Sequence, residues 1–203
     1  MFDALHQGLP LAQANKALIL LHGRGATAQS IISLIPYLNS ADAAVFAPQA
    51  VQQSWYPFGF MASDEGNFIS LESSIKKISL LFEQLIQEGM PAEHIYLLGF
   101  SQGACLSLEF AARHAQKLGG VVAFTGGLIG ERLNKEKYTG DFKGTPINIS
   151  GSVRDIHVPA QRMRDSAQLL QDMGAVVSLT FFEDAAHTIR SEELAEVNQK
   201  ILL

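Results

Sequence analysis

Short apolar runs alternate with longer amphipathic stretches along most of the chain. The runs are rich in aliphatic and β-branched residues and are bounded by glycine, proline or polar residues, which is typical of buried strands. They cover residues 17–21, 43–47, 95–98, 119–125, 145–150 and 176–182. Because strand-like runs alternate with amphipathic stretches, the chain is predicted to be an α/β protein with a mainly parallel central sheet and helices on both faces.

The stretches between the runs repeat apolar residues every three or four positions, as amphipathic helices do. The longest is predicted over residues 68–88, where Gly89 ends it and Pro91 follows. Another covers residues 27–38 and contains Pro36, which should end or kink it. Further helices are predicted up to about His114, over residues 160–173 and from about Ser191. Residues 1–16 are predicted to form an edge strand or a hairpin.

The stretch 48–67 shows neither the continuous apolar run of a buried strand nor the three-to-four-residue repeat of a helix. It concentrates aromatic side chains, including the single tryptophan, Trp55. Irregular connections of this length are more often functional than idle. Because the stretch follows a strand, we expect it to border a pocket, with Trp55 as the best candidate for a substrate-binding wall. The alternative is that its rings only fill the core beneath a loop.

Composition limits the class of protein. A chain of 203 residues with 47% hydrophobic residues suffices for one domain with a proper core, so a single domain over residues 1–203 is expected. The net charge is −5 and no basic stripe occurs, which argues against nucleic acid as a partner. No signal peptide is recognisable, and no apolar run approaches the ~18 residues that a membrane span needs. Without stable membrane insertion, a cytoplasmic location is expected, and the single cysteine, Cys105, fits a reducing compartment.

A Gly-x-Ser-x-Gly motif, from Gly99 to Gly103, lies between the strand at 95–98 and a helical pattern. A serine at such a tight turn projects from the edge of the sheet, and the flanking glycines allow backbone to approach without a Cβ clash. The same turn leaves the amide of Gln102 at a helix N-terminus, where it can face a developing negative charge. The motif therefore predicts Ser101 as a nucleophile. The alternative is a tight turn with an incidental serine.

A serine nucleophile needs an imidazole base and a carboxylate that orients it. Asp155 and His187 each follow a later strand, which gives the order Ser-Asp-His of the α/β-hydrolase arrangement. His157 is the strongest rival for the base, and Asp184 is the second choice for the acid. No metal site is expected, because no cluster of histidines and cysteines with ligand spacing occurs.

A glycine-rich loop, residues 22–26, follows the first central strand. It lacks the glycine patterns of nucleotide-binding loops, so a phosphate site is a weak interpretation. An early strand-to-helix loop can instead supply the second amide of an oxyanion hole, for which the backbone N–H of Arg24 is the candidate. His22 is expected to brace this loop by hydrogen bonds rather than act as the base.

Four motifs together resemble the phospholipase/carboxylesterase family of α/β-hydrolases, which includes acyl-protein thioesterases and small bacterial carboxylesterases. They are His22-Gly23-Arg24-Gly25, Gly99-Phe100-Ser101-Gln102-Gly103-Ala104, Asp155-Ile156-His157-Val158-Pro159 and Ala186-His187-Thr188-Ile189. The resemblance implies an α/β-hydrolase fold, a triad of Ser101, Asp155 and His187, and an oxyanion hole from the amides of Arg24 and Gln102. It also makes a homodimer an expected assembly. One tract differs: the thioesterases follow Trp by Phe or Tyr and then Asp, whereas Trp55-Tyr56-Pro57-Phe58 lacks the aspartate.

These observations predict a serine hydrolase that cleaves carboxylic esters of small molecules and needs no cofactor. Cleavage of thioesters, acyl-protein thioesters among them, is the alternative with the same machinery. A non-catalytic binding protein on the same fold is the alternative from another class. The chain leaves little room for a separate lid domain, so a shallow and fairly open site is expected, with aromatic residues that favour apolar acyl groups.

Overall fold

The computed structural model describes residues 3–203 and arranges them around a seven-stranded sheet in the order β1-β3-β2-β4-β5-β6-β7. The strands are β1 (Leu5–Gly8), β2 (Lys16–Leu21), β3 (Ala43–Ala47), β4 (Ile95–Phe100), β5 (Gly120–Phe124), β6 (Pro146–Ser152) and β7 (Val176–Phe182). The edge strand β1 pairs antiparallel with β3, and the other pairings are parallel. The mainly parallel α/β sheet is thus confirmed.

Helices cover both faces of this sheet, as predicted. They are α1 (Ala28–Ile32), α2 (Asp64–Gln87), α3 (Gln102–Arg113), α4 (Ala160–Asp172) and α5 (Ser191–Lys200), with short 3-10 turns at Leu11–Gln13, Ile35–Tyr37, Val51–Gln53, Ala92–His94 and Lys135–Lys137. Side chains of β2 alternate between two buried clusters: Ile19 belongs to the one that includes residues of α2, α3 and α4, and Leu20 to the one that includes residues of α1 and α5. This alternation follows from the pleat of a strand that is buried on both sides.

Helix α2 begins at Asp64, four residues before the predicted start at residue 68. The acidic residues Asp64 and Glu65 stand in its first turn, where they complement the positive end of the helix dipole. Asn67 in the next turn accepts a hydrogen bond from the Phe58 amide and donates one to the Gly59 carbonyl. The helix therefore starts where polar residues join it to the preceding loop, which a search for apolar periodicity overlooks.

The carboxyl ends of β2, β4, β6 and β7 lie along one edge of the sheet, and the loops that follow them carry the candidate site residues. Helix α1 ends at Ile32, ahead of Pro36, which lies in a separate 3-10 turn as its backbone requires. No lid domain is inserted among residues 3–203. Over the same residues, none of the helices has the length and hydropathy of a membrane span.

Candidate active site

Ser101 occupies the turn between β4 and α3 and has an unusual backbone conformation. Its φ is 53° and its ψ is −117°, a region that residues with a Cβ rarely adopt. Such a conformation costs about 1–3 kcal/mol and persists only where the surroundings enforce it. Here the Ser101 amide donates to the Phe124 carbonyl of β5, at 2.9 Å, and the Ser101 carbonyl accepts from Cys105 of α3, at 3.0 Å. The strained turn lifts the hydroxyl away from the sheet edge.

The glycines of the motif permit a close approach of backbone to backbone. A Cβ on Gly103 would lie 2.1 Å from the Leu21 carbonyl oxygen, and a Cβ on Gly99 would lie 2.3 Å from the Gly103 carbonyl oxygen. No side chain fits at either position, because real Cβ contacts are much longer than this. The two glycines therefore let α3 begin against the end of β2, where the Arg24 loop starts.

Replacing Gly103 by alanine is expected to lower the free energy of unfolding by at least about 2 kcal/mol, since backbone must move to admit the methyl group. Chemical denaturation measures the change. Gly59→Ala is the matched control, because nothing lies within 4 Å of an added Cβ at Gly59. We expect the control to change stability by less than about 0.5 kcal/mol. Equal stability of the two variants would contradict the close approach at Gly103.

The structure brings Ser101, His187 and Asp155 into one hydrogen-bonded series. His187 Nε2 lies 2.8 Å from Ser101 Oγ, and His187 Nδ1 lies 2.7 Å from Asp155 Oδ2. With the proton on Nδ1, the imidazole donates to the carboxylate and accepts from the serine hydroxyl. The Phe100 ring packs against His187 at a centroid distance of 5.1 Å and limits its rotation.

Asp155 is a buried carboxylate whose side chain is fully covered. Burial by itself raises the pKa of Asp155, but the hydrogen bonds from His187 and from the amides of His157 and Val158 outweigh it, so the pKa lies below its usual value. The two amides donate to Oδ1 at 2.7 and 3.0 Å, which leaves Oδ2 for His187. The local backbone thus fixes both the charge and the orientation of the acid.

The two rival residues have other partners. The ring of His157 stands edge-on to that of His187, 5.0 Å between centroids, and the hydroxyl of Ser101 bonds to His187 instead. Asp184 Oδ1 accepts hydrogen bonds from Ser152 Oγ, from the Ala186 amide and from Arg190 Nη2, at 2.7, 2.9 and 2.7 Å. The rival acid therefore holds the loop that carries His187 without contacting the imidazole.

Arg24 and Gln102, the two candidate oxyanion residues, both line the same cavity as Ser101. Gln102 begins α3, so its N–H is one of the donors that a helix N-terminus leaves free. Within residues 3–203, no hydrogen-bond acceptor meets the N–H of either residue. Both amides are therefore free to act as oxyanion donors, which is what this expectation requires.

His22 braces the loop of Arg24, as expected from the sequence. Its fully buried ring bonds to the Gly23 carbonyl through Nδ1, at 2.7 Å, and accepts from the Ala50 amide through Nε2, at 3.1 Å. Burial lowers the pKa of His22, and its bond to the Gly23 carbonyl opposes that shift only in part. A neutral imidazole with the proton on Nδ1 satisfies both contacts.

The expectation that Trp55 forms a pocket wall is wrong for the cavity beside Ser101. Trp55 is only 1% exposed, and its indole N–H donates to the His22 carbonyl at 2.8 Å. A buried tryptophan needs an acceptor for this N–H, and the loop carbonyl that supplies it draws the ring into the core. The alternative, that the ring fills the core beneath the loop, is correct for Trp55.

The cavity beside the nucleophile has a volume of about 350 Å³. Its walls come from five parts of the chain: Arg24; Tyr56, Gly59 and Phe60; Ser101, Gln102 and Cys105; His157 and Val158; and His187. The aromatic stretch 48–67 borders this cavity, as expected, through Tyr56, Gly59 and Phe60. Sequence reasoning missed Val158 as a wall residue, for which its nearness in sequence to Asp155 was the available signal. Cys105 lies at the base, and burial raises the pKa of its thiol to about 12, so it stays a thiol.

Residues 9–202 match the family model described as Phospholipase/Carboxylesterase. The chain belongs to the phospholipase/carboxylesterase family. This membership confirms the resemblance drawn from the four motifs.

Named relatives in this family are carboxylesterases and acyl-protein thioesterases. Acyl-protein thioesterase 1 of Saccharomyces cerevisiae is 27% identical over 96% of this chain and 95% of the yeast protein. A probable carboxylesterase of Arabidopsis thaliana, SOBER1-like, is 27% identical over 71% of this chain. That alignment spans only 56% of the Arabidopsis protein. The relatives thus support a hydrolase.

Solved structures show the same fold. The crystal structure of a phospholipase/carboxylesterase from Dyadobacter fermentans has a TM-score of 0.98 at 45% identity and covers 100% of this chain and 97% of that one. Esterase PE8 has a TM-score of 0.82 at 21% identity over 97% of this chain and 96% of its own. The α/β-hydrolase fold predicted from the sequence is therefore confirmed.

Proposed function

We propose that this protein is a serine hydrolase that cleaves carboxylic esters of small molecules through an acyl-enzyme. The observation that carries the proposal is the hydrogen-bonded series from Ser101 through His187 to Asp155, at 2.8 and 2.7 Å, beside a cavity that Arg24 and Gln102 also line. This arrangement supports the proposal because it would supply a nucleophile, a base, an orienting acid and oxyanion donors in one place.

In the acylation step, Ser101 Oγ attacks the ester carbonyl carbon while its proton passes to His187 Nε2. The carbonyl electron pair moves onto oxygen, and the amides of Arg24 and Gln102 stabilise that oxyanion. Each such donor contributes about 3 kcal/mol to the stability of the transition state. When the tetrahedral intermediate collapses, the bond to the leaving oxygen breaks and His187 returns the proton to that oxygen, which releases the alcohol.

In the deacylation step, water takes the place of the alcohol. His187 removes a proton from the water, whose oxygen attacks the acyl-enzyme carbonyl. The same amides hold the second oxyanion, and collapse returns the proton to Ser101 Oγ and releases the carboxylic acid. Asp155 stays ionised throughout, because its three hydrogen bonds favour the carboxylate.

The size of the cavity favours acyl groups of short to medium length. Its volume of about 350 Å³ lies at the low end of the range for ligand pockets, about 300–1,000 Å³. Tyr56, Phe60 and Val158 give it apolar walls next to the nucleophile. The part of an acyl chain that extends beyond the cavity stays in water and adds nothing to the free energy of binding.

We therefore expect hydrolysis of p-nitrophenyl esters with kcat/KM highest between the acetyl and octanoyl esters and at least about tenfold lower for the palmitoyl ester. Each buried CH₂ contributes about 0.8 kcal/mol, so the series should rise and then level off or fall once the cavity is full. Initial rates below the micelle concentration of each ester give the profile. Absence of hydrolysis across the whole series would refute the ester assignment.

Thioester cleavage is the second candidate, favoured by the relatives that are named acyl-protein thioesterases. Butyrylcholine and butyrylthiocholine separate the two, because they differ only in the leaving atom. A preference for the oxygen ester, once the intrinsic reactivities are divided out, supports the proposal. A strong preference for the thioester favours the second candidate.

A non-catalytic binding protein would lack a reactive serine. A fluorophosphonate probe that labels the folded wild-type protein at Ser101 argues against such a role. Labelling that survives denaturation by heat, or that maps to another residue, would contradict the assigned nucleophile.

A further inference from the structure

The side chains of the two proposed oxyanion residues, Arg24 and Gln102, form hydrogen bonds to the same piece of chain, residues 54–58, which we name the clamp segment. Arg24 Nη1 donates to Ser54 Oγ at 3.2 Å and to the Pro57 carbonyl at 2.7 Å. Arg24 Nη2 donates to the Phe58 carbonyl at 2.5 Å. The guanidinium thus binds backbone carbonyls and a hydroxyl. Its contacts hold the clamp segment to the loop that carries the Arg24 amide.

The side chain of Gln102 also hydrogen-bonds to the clamp segment. Its Oε1 accepts from the Trp55 amide at 2.9 Å, and its Nε2 donates to the Tyr56 carbonyl at 2.8 Å. The same Nε2 lies 3.4 Å from Ser54 Oγ. Because the Gln102 side chain is buried, these bonds are shielded from water.

Within the clamp segment, Ser54 Oγ is the one atom that hydrogen-bonds to both Arg24 and Gln102. It accepts from Arg24 Nη1 and Gln102 Nε2, and it donates its own proton to the Tyr56 carbonyl at 2.8 Å. A hydroxyl has one donor and two acceptor sites, so all three are used. Arg24 lies in the loop after β2 and Gln102 begins α3, so Ser54 joins the side chains of two separate parts of the chain.

We infer that Ser54 is a positioning residue that fixes the two oxyanion amides relative to each other. The inference rests on the proposed function, because it presumes that these amides bind the oxyanion. The Gln102 amide is oriented by α3, whereas Arg24 lies in a loop between two glycines and needs an outside constraint. An oxyanion hole is effective only if its donors are already in place when the charge forms.

Ser54→Ala is expected to lower kcat by about 10- to 100-fold, with KM within about twofold, because misplacing a donor weakens binding of the transition state only. The variant should fold. Arg24 Nη1 keeps the Pro57 carbonyl, and Gln102 Nε2 keeps the Tyr56 carbonyl, so no buried donor loses its last partner. Steady-state kinetics on the best p-nitrophenyl ester and thermal unfolding give both quantities.

Ser74→Ala is the matched control. Ser74 Oγ donates to the Trp55 carbonyl at 2.6 Å, so it also tethers the clamp segment, but it contacts neither Arg24 nor Gln102. We expect kcat within about threefold of wild type for this variant. Equal losses in Ser54→Ala and Ser74→Ala would overturn the inference, because the clamp segment would then need only general support.

Three further readouts separate positioning from a structural role. Affinity for an alkyl trifluoromethyl ketone, whose serine adduct carries an oxyanion, should fall in parallel with kcat/KM in Ser54→Ala. Ser54→Thr should restore most of kcat, because it keeps the hydroxyl and Ser54 has the extended backbone that β-branched residues favour. The pH dependence of kcat/KM should keep its wild-type midpoint, because Ser54 has no contact with His187.

Arg24→Met gives a second route to the same question. If the hydroxyl acts through the guanidinium, the losses in kcat of Ser54→Ala and Arg24→Met will be clearly less than multiplicative in the double variant. Multiplicative losses, an unchanged kcat in Ser54→Ala, or a raised KM at constant kcat would each overturn the inference. An inactive wild type would instead remove the proposed function on which it rests.

Discussion

Ser101→Ala is expected to lower kcat for p-nitrophenyl ester hydrolysis by about 10⁶, with KM within a few-fold of wild type. Alanine removes the atom that forms the acyl-enzyme, while the cavity walls that bind the substrate stay in place. The residual rate should reflect the oxyanion donors and substrate binding alone. Purified variant and wild type, assayed at enzyme concentrations that differ by several orders of magnitude, give the ratio.

Ser101→Gly is the companion variant. It is equally without a nucleophile, but a glycine at a φ of 53° avoids the penalty of the Cβ. We expect it to be more stable than Ser101→Ala by about 1 kcal/mol, in line with the strain that such a position stores. Activity above 1% of wild type in either variant would show that another residue is the nucleophile.

Asp155→Asn is expected to lower kcat by about 10⁴ with little change in structure. The amides of His157 and Val158 donate to Oδ1, so an asparagine would keep its carbonyl oxygen at that position. Its amide nitrogen would then face His187 Nδ1 as a donor and force the imidazole proton onto Nε2. In that tautomer the imidazole no longer accepts the proton of Ser101, and the reaction loses its base.

Asp184→Asn serves as the control for Asp155→Asn, because Asp184 lies in the loop of His187 but contacts Ser152, Ala186 and Arg190 instead. Its kcat should stay within about tenfold of wild type. A larger loss of kcat in Asp184→Asn than in Asp155→Asn would show that Asp184, and not Asp155, is the acid that orients His187. Steady-state kinetics on the same ester compares the two variants directly.

The Asp155 variant should also show a pH effect on stability. The pKa of Asp155 lies below its ordinary value of 3.8, because its hydrogen bonds outweigh the cost of burial. A lowered pKa in the folded state contributes stability that is present above the ordinary value and is lost as the pH falls through the folded value. The free energy of unfolding should therefore decline less steeply below about pH 4 in Asp155→Asn than in wild type.

Much of the fold was predictable because buried parallel strands appear as continuous apolar runs. The strands at Ala43–Ala47 and Val176–Phe182 have the predicted bounds, since each is flanked by polar or turn-forming residues. Helix α2 was misjudged at its start, where Asp64 accepts from the Glu131 amide and Asn67 accepts from the Phe58 amide, and these polar residues leave no apolar repeat. Periodicity reports burial, and a helix end is decided by capping and charge.

The sequence by itself determined which residues could meet: strand order and the Gly-x-Ser-x-Gly motif placed Ser101, Asp155 and His187 after strands that end at one edge. It favoured His187 as the base and kept His157 as the strongest rival, because both occur in loops at that edge. The tertiary structure made the choice, since the amides of residues 157 and 158 turn Asp155 Oδ2 toward His187.

Whether the side chains of the loop after β3 face a cavity or the core was likewise decided only by tertiary contacts. An aromatic residue in a loop can face a cavity or the core, and the partner of its polar atom selects between them. For Trp55 that partner is the His22 carbonyl, a residue 33 positions earlier in the chain. The same long-range bonds join Ser54 to Arg24 and Gln102, so the link between the two oxyanion residues exists only in the folded protein.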